Sequence, residues 1–359
     1  MKELDQHPTN DAATLRFRGI SRLALTLSAV VVILGGLSFA CREKPGEDET
    51  SQRIRPLPET AEILFVSNRD THSSRREIYA MDARGNNITR ITFTNENHFV
   101  VGVDASRRYV AATRGTDNKK RLWLLDLQTG EETPLTDAAN HAEGRSFSPD
   151  GEWIVFWMIL SGESQADIYK IRRDGSELTN LTQSPAAIDF DPSFSRDGSR
   201  IAFISNTGYP NRFVLKTMSA EGGDVKTVCD PQDAIATERF PAGVYDPSWS
   251  PSGDALVFTQ PIRFTGEGEN GTAGVWHTFK ARADGSEVVD LSEAGGHADG
   301  AEYLPSFSTD GQSIVLTIRY GPEDPSQVSL AIFIMNSDGG ELERLTTASA
   351  WDEFAVWIR

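Results

Sequence analysis

The sequence predicts an all-β protein, a six-bladed β-propeller of four-stranded blades that is closed by the C-terminal strand joining the N-terminal blade. Two short phrases interleave along the chain. The first, an Asp-Gly or similar turn, recurs about every 50 residues, which is the signature of a repeat architecture. An open β-sandwich is the alternative, but a sandwich gives no reason for one phrase to recur so regularly.

The first phrase predicts the hairpin between the first and second strands of a blade. Glycine adopts the positive φ that such turns need without steric cost. An alternating apolar segment follows each copy, as expected of a strand. The turns are residues 147–151, 194–198, 249–253 and 307–311, and the strands that follow them are 153–156, 200–203, 255–258 and 313–316.

The second phrase predicts the third strand of a blade, and a threonine or serine usually closes the unit after a short fourth strand. A four-stranded sheet of this size has two apolar faces, and packing such sheets radially hides both. The copies of the phrase are residues 77–79, 121–123, 167–169, 213–215, 277–279 and 331–333, and the closing residues are Thr92, Thr136, Thr182, Ser292 and Thr346.

The two ends of the predicted propeller, residues 61–359, complement each other. Residues 62–66 match the second strand of the unit, whereas residues 353–358 match the first strand. We therefore expect both segments to lie in one sheet, which would remove the last free strand edge.

From residue 62 to the C-terminus, these phrases resemble the repeats of TolB-like, WD-type (PD40) six-bladed β-propellers. The resemblance implies the fold. It leaves the chemistry open, because a fold does not settle function. Propellers with similar repeat sequences also precede the catalytic domain in prolyl-oligopeptidase-type hydrolases.

Residues 1–40 form a predicted secretory signal. Arg16, Arg18 and Arg22 precede an apolar run at residues 23–40, and Cys41 follows Ala40, which resembles a bacterial lipoprotein signal with Cys41 as the lipidated residue. An uncleaved signal anchor is the alternative. Residues 41–60 contain too little apolar content to fold and form a predicted flexible tether. Either way, we expect a membrane-anchored protein of the cell envelope, outside the cytoplasm, as a periplasmic or outer-membrane lipoprotein.

The composition and motifs restrict the function classes. The chain has 35 Lys and Arg against 52 Asp and Glu, a net charge of −17, and this field repels a phosphate backbone, so nucleic acid is excluded as a partner. Sequence signatures of serine hydrolases, zinc proteases and phosphate-binding loops are absent. We therefore expect no catalytic residues, no enzymatic activity and no cofactor.

The connections between blades and those between second and third strands vary most in length, and we call the side of the propeller that they form the long-loop face. Variable loops on a rigid scaffold commonly bind ligands. Polar residues stand just before the predicted first strands and would form an acidic channel mouth able to hold a basic peptide or a divalent cation of unspecified identity. The alternative is that they are solvated or bond backbone groups at blade junctions. They are His98, His141, Glu143, Asp191, Asp246, His297, Glu302 and Glu353.

Aromatic residues on the same face are candidate anchors for a protein partner, or else they pack between blades. They are Trp157, Tyr209, Phe264, Tyr320 and Trp351. The preferred hypothesis is an envelope-tethered scaffold that binds a protein or peptide through the long-loop face. The rivals are a propeller hydrolase, lyase or carbohydrate-binding protein that uses the acidic mouth, and a structural subunit of an envelope assembly.

Overall fold

The computed structural model of the 359-residue chain describes residues 53–71, 75–94, 96–116, 119–184, 186–209, 211–231, 242–264, 274–320, 329–347 and 350–358. The predicted signal, most of the tether and Cys41 lie outside these residues. Within them the chain forms 25 β-strands and one short helix.

Three sheets contain four strands each, with the neighbours antiparallel. The first comprises β25 (Asp352–Trp357), β1 (Ile63–Ser67), β2 (Glu77–Met81) and β3 (Thr89–Arg90). The second comprises β4 (His98–Val103), β5 (Tyr109–Thr116), β6 (Lys119–Asp126) and β7 (Glu132–Pro134). The third comprises β8 (His141–Phe147), β9 (Trp153–Ile159), β10 (Asp167–Arg172) and β11 (Thr179–Asn180).

Two larger sheets follow. The fourth comprises β12 (Asp189–Phe194), β13 (Arg200–Ser205), β14 (Arg212–Ser219) and β15 (Lys226–Cys229), with β16 (Ala242–Gly243) added parallel to β14. The fifth has eight strands: β17 (Tyr245–Trp249), β18 (Ala255–Phe264), β19 (Gly274–Arg282), β20 (Val289–Asp290), β21 (Ala301–Phe307), β22 (Ser313–Tyr320), β23 (Ser329–Asn336) and β24 (Glu343–Arg344). The helix α1 (Leu291–Ala294) lies between β20 and β21.

The all-β propeller fold is confirmed, but the prediction of six separate four-stranded sheets is wrong. Four sheets each correspond to one predicted blade, whereas the last two predicted blades form one sheet. The cause is a parallel pairing of Trp276 with Ala301, supported by the Trp276 N–H, which donates to the Gly300 carbonyl at 3.1 Å. The count of six blades stays a prediction.

The last strand lies in the same sheet as the first three. β25 pairs antiparallel with β1, from Ile63 opposite Trp357 to Ser67 opposite Asp352. This pairing was expected from the sequence pattern of the two segments. Closure of the whole ring stays a prediction.

The core lies between neighbouring sheets, and β1 shows how the sequence produces it. Successive side chains of a strand point to opposite faces. Phe65 packs with Val315 and Ile332 of the last sheet, whereas Val66 packs with Val110 of the second sheet. Both faces of β1 are therefore buried, which is why all five of its residues are buried.

The glycine of the turn between third and fourth strands has two constraints. Gly85 has φ +76°, and a Cβ there would lie 2.5 Å from the carbonyl oxygen of Leu345, which directly follows β24 of the last sheet. The turn thus needs glycine both for its backbone angle and for the close approach of the neighbouring sheet. Three other turn glycines approach a neighbouring carbonyl oxygen similarly closely. These pairs are Gly222 with Leu181, Gly285 with Val228, and Gly339 with Leu291.

Candidate functional site

A central cavity of about 130 Å³ is lined by residues from the first strand of every predicted blade, β4, β8, β12, β17, β21 and β25. We call it the channel cavity. Each of these strands contributes a residue at an equivalent position, namely Gly102, Ser146, Ser193, Ser248, Ser306 and Val356.

Each first strand is interrupted by a register shift beside the channel cavity. Four residues at these bulges have positive φ, namely Asp191 at 51°, Asp246 at 57°, Leu304 at 58° and Phe354 at 58°. A non-glycine residue in this region costs about 1–2 kcal/mol, so the surrounding contacts must hold it in place.

Asp191 and Asp246 supply such contacts between neighbouring first strands. The Asp246 N–H donates to Asp191 Oδ2 at 3.4 Å, and the Leu304 N–H donates to Asp246 Oδ2 at 3.3 Å. The Thr259 hydroxyl also donates to Asp246 Oδ2, at 3.3 Å. Each carboxylate therefore bonds the bulged backbone of the next first strand, which is the junction role that was the alternative for these residues.

Glu143 lines the channel cavity as part of a charged cluster. Lys120 Nζ lies 3.1 Å from Glu143 Oε2, and His141 Nε2 lies 2.8 Å from Glu143 Oε1. Burial opposes ionisation of this carboxyl, but Lys120 and His141 together lower the pKa of Glu143 to about 2. The His141 ring also lies beside Trp157, with the ring centroids 5.2 Å apart.

Glu353 lies next to this cluster and is buried. Its Oε1 is 2.6 Å from Arg76 Nε, and because neither atom is aligned for a hydrogen bond, the contact is an ion pair. Burial raises the pKa of Glu353, although the Arg76 and Lys120 charges pull it down. Lys120 Nζ lies 4.1 Å from the centroid of the Phe99 ring, which lines the channel cavity.

Sequence reasoning missed Arg76 and Lys120, although a signal was available. Each residue stands directly before a copy of the third-strand phrase, at the same position in the first and second sheets. A cation repeated at one position of a repeat unit is a candidate partner for acidic residues of neighbouring units.

His98 lies between the first and second sheets, and Glu302 lies within the fifth sheet beside β19, not at the channel mouth where the sequence predicted them. Neither side chain is exposed. The Arg114 Nε–H donates to His98 Nδ1 at 3.4 Å, and burial together with the Arg114 charge holds the pKa of His98 well below its ordinary value. His98 Nε2 lies 2.5 Å from the Thr94 hydroxyl, so this ring is neutral and bonded within the protein.

His297 lies in the connection between α1 and β21, where it contacts Glu302. Its Nδ1 is 2.8 Å from Glu302 Oε1, and its Nε2 is 3.0 Å from the Gly339 carbonyl. The other oxygen of Glu302 accepts the hydroxyls of Thr278 at 2.5 Å and Ser292 at 2.8 Å.

Of the five predicted aromatic anchors, Trp157 lines the channel cavity. Tyr209 lies beneath the Arg212 guanidinium, 5.1 Å from the ring centroid. Trp351 lies 5.8 Å from the Arg76 guanidinium. Phe264 and Tyr320 end β18 and β22, and their side chains lie outside the described part of the structure.

Within the described ranges, no group of three or more His, Cys, Asp or Glu side chains is arranged to hold a metal ion. A divalent cation in the channel stays a prediction. In the same part of the chain, no helix has both the length and the apolar character needed to cross a membrane.

The sequence matches one family model and several individual proteins. A family model described as the TolB beta propeller domain matches residues 59–265. An uncharacterized protein of Agrobacterium fabrum is 30% identical over 145 residues, covering 39% of this chain and 46% of that protein. A TolB homolog of Chlorobium chlorochromatii is 29% identical over 148 residues, covering 40% of this chain and 31% of that protein. The chain thus matches less than half the length of these relatives.

Solved structures share the architecture. TolB from Acinetobacter baumannii aligns over 83% of this chain and 66% of its own, with a TM-score of 0.64 and 18% identity. An oligogalacturonate lyase in complex with manganese aligns over 82% of this chain and 75% of its own, with a TM-score of 0.52 and 15% identity. At these identities the likeness shows the fold alone.

Proposed function

Because the chain belongs to the TolB beta propeller domain family, we propose that it is a non-enzymatic scaffold of the cell envelope that binds a protein or peptide partner through its long-loop face. In this proposal the eight-stranded sheet counts as two blades. The ring then has six blades, and the pairing of β25 with β1 closes it.

The observation that carries the proposal is the composition of the channel cavity. Aromatic rings of Phe99, Trp157 and Phe354 line it, and buried aromatic residues are frequent anchors of protein interfaces. Its volume of about 130 Å³ is close to that of an engineered cavity that binds benzene. The cavity therefore suits one inserted side chain or chain terminus of a partner better than a folded domain.

The acidic residues support the same proposal. Asp191 and Asp246 already bond the backbone of neighbouring strands, and Glu143 already pairs with Lys120 and His141. A general acid or base must reach the substrate proton within hydrogen-bond distance. Carboxylates that hold the ring together are poorly suited to that task, whereas they give a partner a rigid surface.

The test is affinity purification of the tagged, membrane-extracted protein with mass spectrometry of the proteins that co-elute. We expect a reproducible partner with the wild-type chain and its loss with Trp157→Ala. Trp153→Ala is the matched control, because Trp153 lies on the same strand, is similarly half-buried, and does not line the channel cavity. Equal retention of the partner by both variants would contradict the proposed site.

The rival is a carbohydrate-active enzyme, since an oligogalacturonate lyase shares the fold. The same protein is assayed on acidic oligosaccharides with and without Mn²⁺. Turnover that falls at least about 100-fold on Glu143→Gln or Asp191→Asn would replace the scaffold proposal with the enzyme, because general acid–base groups contribute factors of this size.

The proposal also places the propeller outside the cytoplasm, tethered through a lipidated Cys41. Mass spectrometry of the mature N-terminus distinguishes the possibilities. A diacylglyceryl-modified Cys41 supports the lipoprotein, and an intact residue 1–40 segment supports the signal anchor. A chain cleaved without lipid contradicts both forms of tether.

A further inference from the structure

Two histidines hold the connection between β20 and β21 from different sides. His277, on β19, has Nδ1 2.6 Å from Asp290 Oδ2 and Nε2 2.8 Å from the Ala298 carbonyl. His297, within the connection, has Nδ1 2.8 Å from Glu302 Oε1 and Nε2 3.0 Å from the Gly339 carbonyl. We call these four contacts the histidine clamp.

The partners in the histidine clamp fix the charge of the rings. An ionised carboxylate and a carbonyl only accept hydrogen bonds, and a neutral imidazole has a single N–H to donate. Each ring therefore satisfies both of its partners only as the imidazolium ion, which donates from both nitrogens.

The charged groups around the clamp favour this form. Burial acts to lower the pKa of His277, but the hydrogen bonds to Asp290 and the Ala298 carbonyl, with the Asp290 and Glu302 charges, raise it above its ordinary value. Glu302 raises the pKa of His297, against burial and the like charge of His277. The ion pair of Arg263 with Asp299 lies on the exposed side of the connection, 3.6 Å apart.

The clamp lies where two predicted blades are joined. His277 follows Trp276, and Glu302 follows Ala301, which are the two residues whose parallel pairing links β19 to β21. In the corresponding position of the third sheet, Asp167 accepts the Thr182 hydroxyl at 3.1 Å and the Ser184 N–H at 3.0 Å. That connection has no histidine and serves as an internal comparison.

We propose that the protonated histidine clamp locks the connection before β21 and the pairing of β19 with β21, and that loss of its protons as the pH rises releases this part of the long-loop face. The sign follows from the direction of the shifts. Each raised pKa contributes stability that is complete below the ordinary value of about 6.5 and is lost as the pH rises through the folded-state value.

Hydrogen exchange of the full-length chain, followed by mass spectrometry and corrected for intrinsic rates, tests the release. Between about pH 6 and pH 8.5, spanning the range in which histidines titrate, we expect residues 295–297, whose N–H groups donate within the connection, to lose protection. Loss of a charge-assisted hydrogen bond predicts at least about tenfold faster opening. Residues 181–184 should keep their protection, and H277Q/H297Q should exchange at the faster rate at both pH values. Wild-type protection that is the same at both pH values would overturn the proposal.

Nitrogen-15 NMR of histidine-labelled wild-type protein gives a readout that does not depend on whether the variants fold. At about pH 7, where an ordinary histidine is mostly neutral, the His277 and His297 rings should carry protons on both nitrogens. The His98 ring, which accepts from Arg114, should be neutral under the same conditions. Neutral rings at both clamp positions would also overturn the proposal.

Discussion

The hydroxyl of Thr346 accepts the backbone N–H of Ile332 at 3.0 Å. The strand β24, the fourth of its predicted blade, is only two residues long and pairs with Phe333 and Ile334 of β23. The Ile332 N–H therefore lies beyond the end of β24. The hydroxyl takes the place of a strand carbonyl. The same bond, from a backbone N–H to the hydroxyl of the residue 14 positions later, recurs in four other places. The pairs are Ile78 with Thr92, Leu122 with Thr136, Ile168 with Thr182, and Thr278 with Ser292.

Thr346→Val should therefore destabilise the fold. Valine has nearly the same shape, but it leaves the buried Ile332 N–H without its acceptor, at a cost of about 1–3 kcal/mol. Urea unfolding measures the change. Thr346→Ser keeps the hydroxyl and should lose clearly less, and equal losses for both variants would contradict this role for the closing residue.

Gly85→Ala and Gly130→Ala separate two effects of a turn glycine. Both glycines have similar positive φ, +76° and +75°, but only Gly85 faces the carbonyl of Leu345, since no atom lies within 4 Å of a Cβ at Gly130. Gly130→Ala should cost about 1–2 kcal/mol from the backbone angle alone. Gly85→Ala should cost measurably more in the same unfolding assay, because the first and last sheets must move apart. A similar cost at both positions would show that the close approach is unimportant.

Glu143→Gln should destabilise the protein by about 3 kcal/mol at neutral pH, because it leaves the buried Lys120 ammonium without its counter-charge. The lowered pKa of Glu143 means that its contribution is present above the ordinary glutamate value and is lost as the pH falls toward about 2. The variant should therefore show a shallower loss of stability on the acid side. Denaturant midpoints measured across this range check the slope, and unchanged acid sensitivity would argue against the ion pair.

His98→Gln should reduce the loss of stability on mild acidification. The pKa of His98 is held well below its ordinary value in the folded chain. On mild acidification this histidine therefore binds a proton in the unfolded chain but not in the folded chain. Stability should fall below about pH 6.5 by up to about 1.4 kcal/mol per pH unit from this group. The unfolding midpoint of the wild type should therefore fall relative to that of the variant as the pH is lowered through this range. A constant difference would indicate that His98 is protonated in the fold.

Local features of the fold were predictable from the sequence. The turns, the apolar alternation and the closing threonines are short-range patterns, and each one corresponds to a hydrogen bond or packing contact in the structure. The pairing of β25 with β1 was also predictable, because the two segments match the sequence patterns of the first and second strands of the repeat.

The joined sheet and the burial of His98 and Glu302 were not predictable in this way. Both depend on how closely one blade approaches the next, which no single repeat encodes. The clamp residue His277 was visible only as the first residue of a weak copy of the third-strand phrase. Its meaning depends on Asp290, which ends β20, and on Ala298, which meets it only after the chain has turned through α1.

The pairing of β1 with β25 also has a consequence for biosynthesis. Arg69, just after β1, bonds Asp352 of β25, which is 283 residues further along the chain. At translation rates of about 5–20 residues per second, β1 waits roughly 15–60 seconds for its partner strand to be made. During that time its backbone edge and the buried face around Phe65 lack their final neighbours, so a nascent chain is most exposed to aggregation at the end made first.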